Sequence, residues 1–116
     1  MASMREPTFW ILTALATRAL HGYGVIQEVA TLSAGQITLQ AGTLYAALDR
    51  LTAEGLVEPD REEVVDGRTR RYYRLTRPGA AALEAETERM RRTAATAARR
   101  LAERATGMGG PAAQPS

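Results

Sequence analysis

Five arginines, two adjacent tyrosines and no acid occupy the ten residues Arg68-Thr69-Arg70-Arg71-Tyr72-Tyr73-Arg74-Leu75-Thr76-Arg77. Guanidinium groups reach phosphates and fit into minor grooves, so this composition suits binding to a nucleic acid rather than bond-making chemistry. The preceding Asp66-Gly67 fits a two-residue hairpin turn, in which both central residues take positive φ. That turn sets Val65 opposite Arg68, Glu63 opposite Arg70 and Glu62 opposite Arg71. Cross-strand ion pairs would then explain some of the arginines as ordinary hairpin stabilisation, at roughly 0.2–1 kcal/mol each. Arg68, Arg74 and Arg77 are left without a local acid.

Other chemistries lack the residues to carry them. His21 is the sole histidine, cysteine is absent, and Ser3, Ser33 and Ser116 stand in no nucleophile motif. Gly22 and Gly24 form only a short G-x-G with no strand before it, which is not a phosphate loop. The expectation is no enzyme, no metal and no cofactor.

These side chains need elements to hold them. Pro7 to Arg18 reads as a helix that is apolar almost all round and so must be covered on more than one side. A second helix covers about Tyr23 to Ser33, and Ile37-Thr38-Leu39 alternates as a short strand would. A third, about 42–54, puts Leu44, Leu48 and Leu51 on one buried stripe and ends at Gly55 in a left-handed cap. Strands around Leu56–Val65 and Arg68–Thr76 follow, with Pro59 suited to a strand start or an edge. A last helix starts after the N-cap Thr76 and runs to about Ala105. Leu75 marks the core side of the returning strand, which makes Tyr73 the packed tyrosine and turns Tyr72 outward. Helix, hairpin and basic wing describe an α+β, mostly helical winged helix-turn-helix with a C-terminal dimerisation helix. The domain organisation is residues 1–77 for DNA binding, 78–106 for the dimerisation helix and 107–116 for a disordered tail.

The 116 residues carry a net charge of only +2, but its location is uneven. Residues 1–60 hold three arginines against six acids, residues 61–77 six arginines against three acids, and residues 78–116 six arginines against four acids. The basic balance belongs to the hairpin and the last helix. No apolar run approaches the roughly 18 residues of a membrane span and no signal segment is present, so a cytoplasmic protein is expected.

Leu20-His21-Gly22-Tyr23-Gly24, Gly42-Thr43-Leu44-Tyr45-Ala46-Ala47-Leu48-x-Arg50-Leu51, Glu54-Gly55-Leu56-Val57 and Arg71-Tyr72-Tyr73-Arg74-Leu75-Thr76-x-x-Gly79 together resemble the PadR (phenolic acid decarboxylase repressor) family. The resemblance covers roughly residues 8–83 and is to the branch with a short C-terminal helix. Gln40-Ala41 departs from the family's usual Ser-Pro, leaving the third helix without a good side-chain cap, and Ala46 replaces the usual proline. The resemblance implies a bacterial, dimeric, winged-helix transcription regulator, with multidrug-responsive repressors among its short-tailed members.

In such a fold the third helix enters the major groove by its first turns. The expected DNA contacts are Tyr23, Gln40, Thr43, Tyr45 and Arg50 on the helical side and Arg68, Arg70, Arg71 and Tyr72 on the wing. Tyr45 has an alternative use in packing sideways, Arg50 as a solvated charge, and Gln40 as the end of a loop. The homodimer is expected through Phe9 and a seam of Leu83, Thr87, Met90, Ala94, Ala97 and Leu101, spaced alternately by four and three. Trp10, Ala14 and Met90 are the expected wall for a small aromatic effector. The expected function is a homodimeric repressor of an inverted-repeat operator in double-stranded DNA, relieved by that effector. A winged-helix module for a protein partner and a small-molecule binder without a specific DNA target are the alternatives.

Overall fold

Leu44, Leu48 and Leu51, together with Ala47, form the buried face of a helix that anchors the N-terminal unit. The computed structural model describes residues 4–107. In order, it contains α1 (Glu6–Ala14), β1 (Leu20–His21), α2 (Gly22–Leu32), α3 (Ala41–Ala53), β2 (Val57–Val65), β3 (Arg68–Leu75) and α4 (Arg77–Gly107). Ile11, Leu12 and Leu15 from the first helical segment, Val25 and Val29 from α2, the α3 leucines, and Val57 and Tyr73 from the sheet share one core.

The three strands form one antiparallel sheet in the order β1-β3-β2. Asp66 (φ +54°) and Gly67 (φ +75°) make the hairpin turn with both central residues left-handed, as the sequence requires. The register sets Val65 opposite Arg68, Glu63 opposite Arg70 and Glu62 opposite Arg71. A bulge interrupts β2 between Pro59 and Glu62, and the proline sits on an edge strand, where its missing donor is tolerated. Three helices and this sheet make a winged helix-turn-helix.

Two local expectations are corrected. Residues 37–39 are not a strand: the backbone N–H of Ile37 donates to Ser33 Oγ at 3.0 Å, and Leu39 drops into the core. Their alternation reflects loop packing. The third strand is instead Leu20–His21, paired with Tyr73 and Tyr72. The first helix also stops at Ala14, four residues before Arg18.

At the start of α4, Thr76 Oγ1 accepts from the Gly79 N–H at 3.0 Å and donates to the Gly55 carbonyl at 2.7 Å. Gly79 is buried, and any side chain there would strike the Leu56 carbonyl and Leu75. The chain divides into two units, Met1–Glu86 and Thr87–Ser116, so the opening turns of α4 belong with the winged helix. In the second unit every residue from 90 to 107 is exposed. Apart from Gly107, the tail expected at 107–116 lies outside the described residues.

Candidate nucleic-acid interface

A groove of about 980 Å³ opens between the starts of α2 and α3 and the inner side of the hairpin. Tyr23, Tyr45 and Asp49 line it from the helices, and Val65, Asp66, Arg68, Arg70 and Arg71 from the wing. Tyr23 is 60% and Tyr45 47% exposed. The Tyr45 ring lies across Gly22, where a β-carbon would collide with the phenol. The tyrosine therefore packs sideways and still presents itself to solvent, and the glycine two residues after Leu20 is what admits it.

Ion pairing on the wing sorts the arginines. Arg74 donates to Glu58 at 2.7 Å and to Asp60 at 2.8 Å, which corrects the expectation that it lacks a local acid. The bulge carries Asp60 within its reach. Arg71 meets Glu62 at 3.4 Å. Glu63 stands opposite Arg70 in register but accepts from Arg61 at 3.2 Å and from the Tyr72 hydroxyl at 2.9 Å. The Arg61 guanidinium lies 3.9 Å from the Tyr72 ring centre. Among the described residues, Arg68 and Arg70 make no ion pair, and both line the groove.

Titration follows these contacts. The hydrogen bond from Arg74 holds the Asp60 carboxyl below its ordinary range. The Tyr72 hydroxyl, then Arg61, does the same for Glu63. His21 packs edge-on to Tyr72, with ring centres 5.2 Å apart, and its Nδ1 is buried without a hydrogen-bond partner. Burial and the nearby Arg70 guanidinium lower its pKa.

Five of the nine expected contacts meet in this groove: Tyr23, Tyr45, Arg68, Arg70 and Arg71. Gln40 and Thr43 are exposed at the start of α3, where Gln40 makes no side-chain cap and leaves the first backbone donors open. Tyr72 is half-buried between His21 and Arg61. Arg50 turns the other way: it donates to the buried Thr8 Oγ1 at 3.0 Å and lies 3.8 Å from Glu54. It is a strut between α3 and α1 instead of a groove contact. Sequence reasoning missed Asp49, although its place four residues after Tyr45 puts it on the same helix face.

Of the residues expected at a dimer seam, Leu83 packs on its own core, and Met90, Ala94, Ala97 and Leu101 are exposed. Phe9 and Trp10 are half-buried and meet edge to face. Ala14, expected to touch an effector, is 1% exposed and sealed in the core, out of reach of any molecule at the surface.

Residues 11–85 match the sequence model of the Transcriptional regulator PadR-like family. Over 73 residues the chain is 45% identical to Transcriptional regulator Rv3488 of Mycobacterium tuberculosis, an overlap covering 63% of this chain and 64% of that one. The chain thus spans just under two thirds of that relative's length. In structure it is similar to a PadR family transcription regulator from Clostridium difficile R20291, with a TM-score of 0.67 at 24% identity, covering 81% of this chain and 96% of the other. It is also similar to Bacillus subtilis PadR in complex with operator DNA, with a TM-score of 0.62 at 23% identity, covering 70% and 46%. At these identities the structural likeness speaks to the fold.

Proposed function

Because the chain belongs to the PadR-like family of transcriptional regulators, we propose that it is a homodimeric repressor that binds an inverted-repeat operator in double-stranded DNA and is released by a small aromatic effector. The observation that carries the DNA reading is the groove. Two arginines free of ion pairs face two half-exposed phenols across it, while every acid of β2 is engaged with another partner. Arg68 and Arg70 supply phosphate contacts and counterion release. Tyr23 and Tyr45 donate to phosphate oxygens, and the open backbone donors at the start of α3 favour an anion. Gln40 and Thr43 stand where base edges come within reach. The Bacillus subtilis neighbour, seen with its operator, has this fold.

The dimer reading rests on α4. A single solvated helix is marginal by itself, and Met90, Ala94, Ala97 and Leu101 form an exposed apolar seam that a second copy would cover. The effector reading rests on Trp10, whose half-buried indole offers a flat apolar surface. Among the described residues no helix is long and apolar enough to cross a membrane, and we place the protein's action in the cytoplasm, where a regulator meets its operator.

The deciding experiment is fluorescence anisotropy with the intergenic duplex beside the protein's own gene, against a shuffled duplex of equal length. Saturable binding at least tenfold tighter to the intergenic sequence is expected, with a footprint on an inverted repeat. Equal affinity for both duplexes would overturn the repressor reading.

A further inference from the structure

We propose that Asp49 reads cytosine in the operator, making this acid a determinant of specificity on the DNA-facing helix; the inference rests on the DNA reading above. Gly42, Ala46, Asp49 and Ala53 recur at helical spacing and are all exposed. They form one stripe on α3, turned away from the buried leucines. Three of the four carry no more than a methyl group, so a duplex can approach the helix closely. Asp49 alone in the stripe has polar side-chain atoms, and it lines the groove beside Tyr45.

The carboxylate has no other use in the fold. Among the described residues it makes no ion pair and no side-chain hydrogen bond. Its helical neighbours at three and four residues' distance, Tyr45, Ala46, Thr52 and Ala53, include no base. The adjacent Arg50 is committed to Thr8 and Glu54. A negative charge facing a polyanion weakens binding to every sequence alike, because each phosphate repels it. The loss is recovered only where the duplex offers a hydrogen-bond donor.

In the major groove just two bases do so, cytosine through N4 and adenine through N6. Beside the adenine amine lies the N7 acceptor, which repels a carboxylate. The cytosine amine has a C–H edge on one side and only the paired guanine O6 as a neighbouring acceptor, whereas the adenine amine is flanked by two acceptors, its own N7 and the thymine O4. Asp49 therefore favours a C·G pair at one position of each half-site and penalises non-specific duplex.

Selection from a randomised duplex library tests this with the wild type, Asp49→Asn and Asp49→Ala. Asp49 is exposed and alanine is the better helix former, so the variants keep the fold. The wild type is expected to enrich cytosine at one position per half-site, and replacing that base should weaken it about 5- to 100-fold. Asp49→Asn should enrich adenine there, since an amide pairs with both N6 and N7. Asp49→Ala should lose the preference and bind random duplex more tightly. An unchanged consensus in Asp49→Ala overturns the assignment and leaves the DNA reading intact. Failure of the wild type to enrich any sequence overturns both.

Discussion

Arg68, Arg70 and Arg74 lie within seven residues of one another on one strand, yet their surroundings give them different tasks. Arg74 is held by two carboxylates, whereas Arg68 and Arg70, without an ion pair among the described residues, line the groove. Arg68→Ala and Arg70→Ala are each expected to weaken binding to all duplexes and to flatten the salt dependence by about one phosphate. Arg50→Ala should leave that slope unchanged and instead lower stability by about 0.5–1.5 kcal/mol, the worth of one hydrogen bond, seen in a urea midpoint. Anisotropy titrations across salt concentrations distinguish the two classes. His21 adds a pH signature. Its pKa in the folded state lies below the ordinary 6.5, so the unfolded chain takes up the proton first. Stability should therefore be level above about pH 7 and decline as pH falls below 6.5. Replacing His21 by Gln should remove that decline; a slope that persists would assign it to other groups.

At the scale of elements, the pairing of Gly22 with Tyr45 joins the start of α2 to the first turns of α3. Gly22→Ala must push the phenol aside, while Tyr45→Ala opens the space that the extra methyl needs. A double-mutant cycle on unfolding free energy should give a coupling of about 0.5–3 kcal/mol, with the second substitution relieving the first. Additive effects would show that the ring moves freely. Much of this architecture was legible from local rules. Asp66-Gly67 demands a two-residue turn, the turn fixes the register, and the register turns Tyr73 inward. The leucine spacing marks the buried face of α3. What escaped depends on distant partners. Two residues of β1 hold no periodicity and are a strand only because β3 lies beside them. Arg50 finds Thr8 from 42 positions away, and Arg74 gains Asp60 only through a bulge that no pattern announces.

For the whole molecule, the question is what covers the exposed side of α4. The chain weighs 12.5 kDa, and sedimentation at micromolar concentration is expected to give twice that mass. A chain ending after Glu86 keeps the Thr76 and Gly79 contacts that seat the helix. It should stay folded, sediment as a monomer and bind the operator poorly, since each half-site is then held alone. A monomeric full-length chain would refute the dimer. Folded monomers of the shortened chain that bound as tightly as the full chain would show that the helix has another purpose.

The outer strand β2 also bears on how the protein avoids aggregation. It is an edge strand, and edges with free N–H and C=O groups invite pairing with other chains. Here Pro59 removes a donor, the bulge after it bends the strand, and Glu58, Asp60, Arg61, Glu62 and Glu63 surround the break with charge. The opposite edge is blunted too: β1 is two residues long, and beyond it β3 presents Arg70 and Arg71. Neither side of the sheet offers a flat, neutral run on which a foreign strand could extend. Neighbouring copies of the chain can thus come close together without their wings fusing into a shared sheet.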